Sequence, residues 1–255
     1  GRVCFAMPYE RDFTMIGTTD EDFAGDASQA HIDAGETAYL LSAVSEYFER
    51  PVTRRMIRWS YSGVRPLHDD GSGKAQEATR DYLLDLDAPP DEAPLLSVYG
   101  GKITTHRRLA EHAMEKLAPT FPRAGPAWTA KATLPGGDIG PATFAAWAEK
   151  KRAEYAFLDG DLVRRLCGSY GTYIDRVLSG VKTPEGLGRK FGAGLSEREL
   201  EYLIAEEWAE TLDDVIWRRS KLGLWLTPAE QVEVARYLHD DQGVEAAAAL
   251  SHAAQ

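Results

Sequence analysis

The chain has 255 residues, of which 44% are hydrophobic and 27% charged, a composition that supplies a folded core and argues against disorder, collagen and coiled coil. A formal net charge of −11, spread over both halves, argues against binding led by the phosphate backbone of nucleic acids; an anionic substrate would need a local cluster of Arg or Lys. Two cysteines, Cys4 and Cys167, are too few for a disulfide framework or a four-ligand zinc site and fit a reducing cytosol. Apolar runs such as Leu95–Tyr99 fall far short of the ~20 residues that cross a bilayer. With no charged-then-apolar leader and Gly1 in place of an initiator Met, the chain is expected to begin inside a longer protein or after processing.

Residues 2–9 (RVCFAMPY) and 13–18 (FTMIGT), separated by Glu10-Arg11-Asp12, predict a β-hairpin. Asp33-Ala34-Gly35-Glu36 has the form of a helix cap. Tyr39, Leu40, Val44, Tyr47 and Phe48 follow at helical spacing, which predicts a helix over 34–49. Residues 56–67 alternate through Trp59, Tyr61 and Val64 and predict a strand interrupted at Gly63 and Pro66. A polar loop over 68–76 leads to a second predicted strand over 79–85. Residues 94–117 read as an apolar strand, a Gly100-Gly101 break and a helix with Leu109, Ala113, Met114 and Leu117 on one face. Residues 118–141 hold five of the thirteen prolines and four glycines, the strongest boundary signal in the chain. Beyond them the pattern is helical, at about 142–157, 159–178, 196–209, 211–220 and 228–240, with a frayed Ala-rich tail over 246–254. Thr211 and Thr227-Pro228 mark helix starts. The expected fold class is α+β in the first part and all-α in the second, divided as 1–117, a linker 118–141, and 142–255.

The segment Tyr99-Gly100-Gly101-Lys102-Ile103-Thr104-Thr105-His106-Arg107 is the most informative. A strand ends, two glycines permit close backbone approach, and a helix N-terminus follows, which suits an anion or an electron-rich ring atom. A plain strand-to-helix turn capped by Thr105 is the competing reading. Arg65, in Tyr61-Ser62-Gly63-Val64-Arg65-Pro66-Leu67, and Arg80, in Ala78-Thr79-Arg80-Asp81-Tyr82, suit fork-like binding of phosphate or carboxylate. As isolated residues both arginines read first as surface ion-pair formers, and Arg80 has Asp81 beside it. The six histidines show no metal-ligand spacing, so no metal is expected; among them His106 alone stands near a suggestive motif. No Gly-x-Ser-x-Gly elbow exists, and the stripe Leu200, Leu203, Ile204 and Trp208 reads as core.

Ile16-Gly17-Thr18-Thr19-Asp20, Trp59–Leu67, Thr79-Arg80-Asp81-Tyr82, Ser97–Thr105 and Asp213–Gly223 together closely resemble the FAD-dependent glycerol-3-phosphate dehydrogenases of the aerobic respiratory type. The likeness runs in order over nearly the whole chain and corresponds to the C-terminal half of a family member. It implies an antiparallel substrate-domain sheet, a strand–helix unit of the FAD domain, and a helical C-terminal domain. It implies oxidation of sn-glycerol 3-phosphate to dihydroxyacetone phosphate, with hydride passing to FAD and electrons to quinone.

By the resemblance, Arg65 and Arg80 hold the substrate phosphate, Lys102 lies close to flavin and substrate as the catalytic lysine, and Gly101, Lys102, Ile103 and Thr104 contact the cofactor. His106 stands where many relatives have Tyr. The Gly-x-Gly-x-x-Gly that seats the FAD pyrophosphate is absent from the sequence, and the catalytic base is expected from the N-terminal half. The 255 residues alone are therefore expected to be inactive and to bind FAD weakly or not at all. Absence of an Asp-x-Asp-x-Asp-Gly loop matches the bacterial form rather than the calcium-regulated one. Expected partners are glycerol 3-phosphate, quinone through peripheral attachment to the inner face of the cytoplasmic membrane, and a second copy in a homodimer. Two other readings are an amine or 2-hydroxy-acid oxidase of the same superfamily, with Arg65 on a carboxylate, and a non-catalytic assembly module.

Overall fold

The computed structural model describes residues 3–21, 23–65 and 81–239. The chain divides into two compact units, Gly1–Ala132 and Thr133–Gln255, and the division falls within the Pro/Gly-rich stretch.

In the first unit β1 (Phe5–Tyr9) and β2 (Phe13–Gly17) pair antiparallel, with Met7 opposite Met15. Glu10 and Arg11 make the turn at positive φ. Helix α1 (Ala34–Ser45) starts at a reciprocal cap, in which Glu36 N–H donates to Asp33 Oδ1 (2.7 Å) and Asp33 N–H to Glu36 Oε2 (2.9 Å). The helix ends at Ser45, short of the expected 49, because Tyr47 and Phe48 are exposed and offer no burial to extend it. Residues 57–65 form no strand: a 3-10 turn over Arg54–Met56 leads into irregular chain, in which Trp59 stacks on Tyr61 (4.9 Å) instead of joining a ladder. A strand needs a partner, and alternation alone does not provide one. The expected 68–76 loop lies outside the described residues. A second hairpin joins β3 (Tyr82–Asp87) to β4 (Leu95–Gly100), with Tyr82 opposite Gly100, and leads through a short turn into α2 (His106–Leu117). Among the described residues of this unit only Leu40 and Val44 are buried apolar side chains. Phe5, Met7, Ile57, Tyr61, Leu83, Val98 and Tyr99 are exposed.

The second unit carries the hydrophobic core. Its helices are α3 (Phe144–Glu154), α4 (Gly160–Tyr170), α5 (Ile174–Val177), α6 (Glu197–Glu207) and α7 (Pro228–His239). The core is built on Val163, Leu166, Ile174, Leu200, Leu203, Val215 and Val234, each at most 1% exposed. Short 3-10 turns at Gly171–Tyr173, where the helix expected over 159–178 breaks, at Pro184–Leu187 and at Leu222–Leu224 interrupt the run of α-helices, and two larger departures accompany them. A short hairpin, β5 (Lys190–Gly192) with β6 (Leu195–Ser196), turns through Ala193 and Gly194 at positive φ. Residues Asp214–Arg219 form a π-helix rather than an α-helix, a rare element often found at functional sites. The tail over 246–254 lies outside the described residues.

Inside this core Glu199, 1% exposed, accepts two guanidinium bonds from Arg165 (2.7 and 2.6 Å) and one from the Tyr170 hydroxyl (2.8 Å). At the end of α4, Gly171 (φ +54°) and Gly136 (φ +77°) meet backbone to backbone, and Thr172 N–H donates to Gly136 O (2.8 Å). A Cβ on Gly171 would stand 1.9 Å from Gly136 O, so only glycine fits. Among the described residues no helix is long and apolar enough to cross a membrane, and no three His, Cys, Asp or Glu side chains group as a metal site.

Candidate functional site

The site candidates fall on the loop that leaves β4 and the irregular chain before residue 66. Gly100 (φ +69°) and Gly101 (φ +88°) turn the chain out of the sheet in the left-handed region. A Cβ on Gly101 would lie 3.1 Å from Tyr82 Cβ and 3.7 Å from Leu109 Cδ1, so the turn seats tightly against β3 and α2. Lys102 follows in extended conformation (φ −119°, ψ 146°) and opens a single 3-10 turn, Ile103–Thr105, that runs into α2. Lys102, Ile103 and Thr104 all face solvent, Ile103 at 85% exposure. The N–H groups of Ile103 and Thr104, first in the turn, have no partner within it.

The Thr105 cap of the plain-turn reading is not formed. The Thr105 hydroxyl donates to Lys102 O (2.9 Å), in parallel with its own N–H (3.0 Å), and makes no side-chain cap. His106 turns its Nδ1 to Ile103 O (2.8 Å) and so braces the same turn from inside the chain. One turn further along α2, Glu111 accepts from the Thr129 hydroxyl and from Arg107 (2.8 Å). Those two bonds, the Thr129 one foremost, hold its carboxyl below the ordinary range.

Arg65 ends the described stretch of irregular chain. Its guanidinium pairs with Asp20 Oδ2 at 3.0 Å, both side chains more than two-fifths exposed. Arg80 lies outside the described residues. Gly101, Lys102, Ile103 and Thr104 are thus brought together in one turn. Arg65 stands on a separate loop, tied to the Thr18-Thr19-Asp20 segment that follows β2. Sequence reading missed two pairings: Asp20 with Arg65, and Tyr82 with His112, whose hydroxyl and Nδ1 share a short hydrogen bond. Partners 45 and 30 positions apart leave no trace in local spacing. The Asp-Tyr after Arg80 and the lone His in a helical stripe were the only signals available.

A family model described as FAD dependent oxidoreductase matches residues 1–107, and one described as the C-terminal domain of alpha-glycerophosphate oxidase matches 127–248. The class is therefore that of a flavin-linked oxidoreductase carrying this C-terminal domain. The glycerol-3-phosphate dehydrogenase of Pseudomonas aeruginosa is 48% identical over 240 residues, 94% of this chain and 47% of the relative. The aerobic glycerol-3-phosphate dehydrogenase of Escherichia coli is 43% identical over 237 residues, 93% and 47% respectively. The D-erythritol 1-phosphate dehydrogenase of Brucella abortus is 45% identical over 230 residues, 90% and 46%. Over nearly its whole length the chain is thus similar to glycerol-3-phosphate dehydrogenases and is matched in turn by the two family models. It spans about half the length of the curated relatives it matches.

The Gly100–Thr104 turn suits one edge of a flavin, because its glycines carry no side chain and its outer residues are open. The glycine motif that seats a pyrophosphate is absent from the sequence.

Proposed function

We propose that the chain is the substrate-side and C-terminal portion of an enzyme that oxidises sn-glycerol 3-phosphate to dihydroxyacetone phosphate. The observation that carries this reading is the turn Gly100–Thr104, in which two left-handed glycines leave Lys102, Ile103 and Thr104 open beside a helix start. FAD, when bound in the whole protein, supplies the hydride acceptor, and its electrons go on to quinone.

The chain's own residues bind and orient. Arg65 and Arg80 hold the phosphate, where charge-assisted bonds are worth about 1.5–3 kcal/mol each. The Arg65–Asp20 pair is exposed and worth about 0–1 kcal/mol, so a phosphate can take the guanidinium at small cost. Lys102 sets its ammonium beside the reacting carbon and favours negative charge on the C2 oxygen as the hydroxyl proton leaves to a base outside this chain. The N–H groups of Ile103 and Thr104 hold negative charge on the cofactor's edge. Attachment to the inner face of the cytoplasmic membrane belongs to the same reading.

In the full-length enzyme, Arg65→Ala and Arg80→Ala are each expected to raise KM for glycerol 3-phosphate about tenfold to a hundredfold, from the loss of one or two charged bonds. An unchanged KM in both variants overturns the phosphate assignment. A second reading, with D-erythritol 1-phosphate as substrate, is favoured by the 45% identity to a dehydrogenase of that name. Comparing kcat/KM for the two phosphates separates them.

A further inference from the structure

Behind the Gly100–Lys102 turn stands a polar contact that none of the site residues explains. Tyr82 opens β3 directly opposite Gly100, and the same residue's Cβ fills the space a Cβ on Gly101 would need. Its hydroxyl reaches across to Nδ1 of His112, and the two rings lie 5.8 Å apart, tilted by 56°. Both residues are half-buried. His112 lies on the helix that the turn starts, and Leu109, one turn before it, closes the other side of Gly101. The turn is therefore held on two sides, by the strand it faces and by the helix it opens, and one hydrogen bond locks those two elements to each other.

We propose that Tyr82 and His112 are positioning residues that fix the Gly100–Lys102 turn at the height and tilt its role requires. The inference rests on the reading of that turn as the flavin- and substrate-facing edge. Glycines at positive φ supply conformational freedom, and a turn built on two of them needs an external restraint to hold one geometry. Apolar packing of Leu109 sets distance but not rotation. A directional bond between the strand and the second turn of the helix sets rotation as well. Neither residue touches substrate or cofactor in this scheme.

The test uses the full-length holoenzyme and reads FAD dissociation and the visible circular dichroism of the bound flavin, alongside the thermal midpoint. Tyr82→Phe removes one oxygen and keeps the ring. It is expected to weaken FAD binding about threefold to tenfold, the scale of one lost hydrogen bond, and to change the flavin dichroism at nearly constant thermal midpoint. His112→Leu is expected to do the same, and the double variant no more than either alone. His112→Asn, whose amide stands where Nδ1 does, restores both readouts. Wild-type flavin dichroism and affinity in Tyr82→Phe and His112→Leu overturn the proposal, as does an Asn variant no better than Leu.

Lys102→Ala and Ile103→Pro, which removes the Ile103 N–H, report on the turn independently. If they alter flavin binding and Tyr82→Phe does not, the clamp alone is refuted. If they leave flavin and substrate binding unchanged, the functional reading of the turn falls and the clamp with it.

Discussion

Replacing Arg165 by Leu tests how the buried charges of the helical unit are balanced. Glu199 is 1% exposed and takes three hydrogen bonds, two from Arg165 and one from Tyr170; Arg165 also donates to Gly194 O (2.8 Å). Without the guanidinium, a buried carboxylate keeps one side-chain bond and the favourable end of α6, where it is the third residue. Breaking such a pair from one side costs about 3–5 kcal/mol. That is a large share of the ~5–15 kcal/mol a domain has. With a urea slope of about 1–3 kcal/mol per molar, the midpoint should fall by roughly 2 M. The assay is urea unfolding of the chain followed by far-ultraviolet circular dichroism. Removing both charges, Arg165→Leu with Glu199→Leu, should recover much of the loss, because no ion is then stranded. A single variant that costs under about 1 kcal/mol, or a double variant as unstable as the sum of the singles, refutes the reasoning.

Four further outcomes follow, three of them from the same unit. Gly171→Ala should cost more than about 2 kcal/mol, seen as a fall in Tm of at least about 8 °C, since its Cβ meets a backbone carbonyl at positive φ. Burial first, then the Glu199 carboxylate, raises the Tyr170 pKa, and burial pushes Tyr202 up to about 12. Stability is then full below about pH 10, the unfolded value, and declines as pH rises past it; Tyr170→Phe should flatten that alkaline limb in a pH series of unfolding midpoints. In acid, Asp214 is held at about 2 by the Thr211 hydroxyl and N–H. Its contribution is present above about pH 4 and lost toward pH 2, and Asp214→Asn should remove that slope. Expressed separately, residues 133–239 should fold cooperatively, whereas residues 1–132, with two buried apolar side chains among their described residues, should bind a hydrophobic dye and melt without a sharp transition.

Local chemistry was the part of the fold legible in the sequence. Asp33 with Glu36 and Thr227 with Glu230 close reciprocal caps at the helix starts read from residue type alone. Glycine runs located the turn at 100–101 for the same reason. What escaped depends on partners far along the chain. Residues 57–65 alternate like a strand yet have no ladder to join, and the π-helical step at 214–219 reflects packing of Val215 and Ile216 that no periodicity announces. In the candidate site, the Gly101–Thr104 cluster could be read because it is contiguous. The Asp20 pairing of Arg65 and the contact of Tyr82 with His112 could not.

The paired glycines at 136 and 171 also decide where the polypeptide tolerates engineering. A reporter domain or protease site placed at Gly125 falls where the chain is exposed and a Cβ would meet nothing within 4 Å. The same graft ten residues later would pry apart a backbone junction with no slack on either side, and the α4–α5 corner would come loose with it.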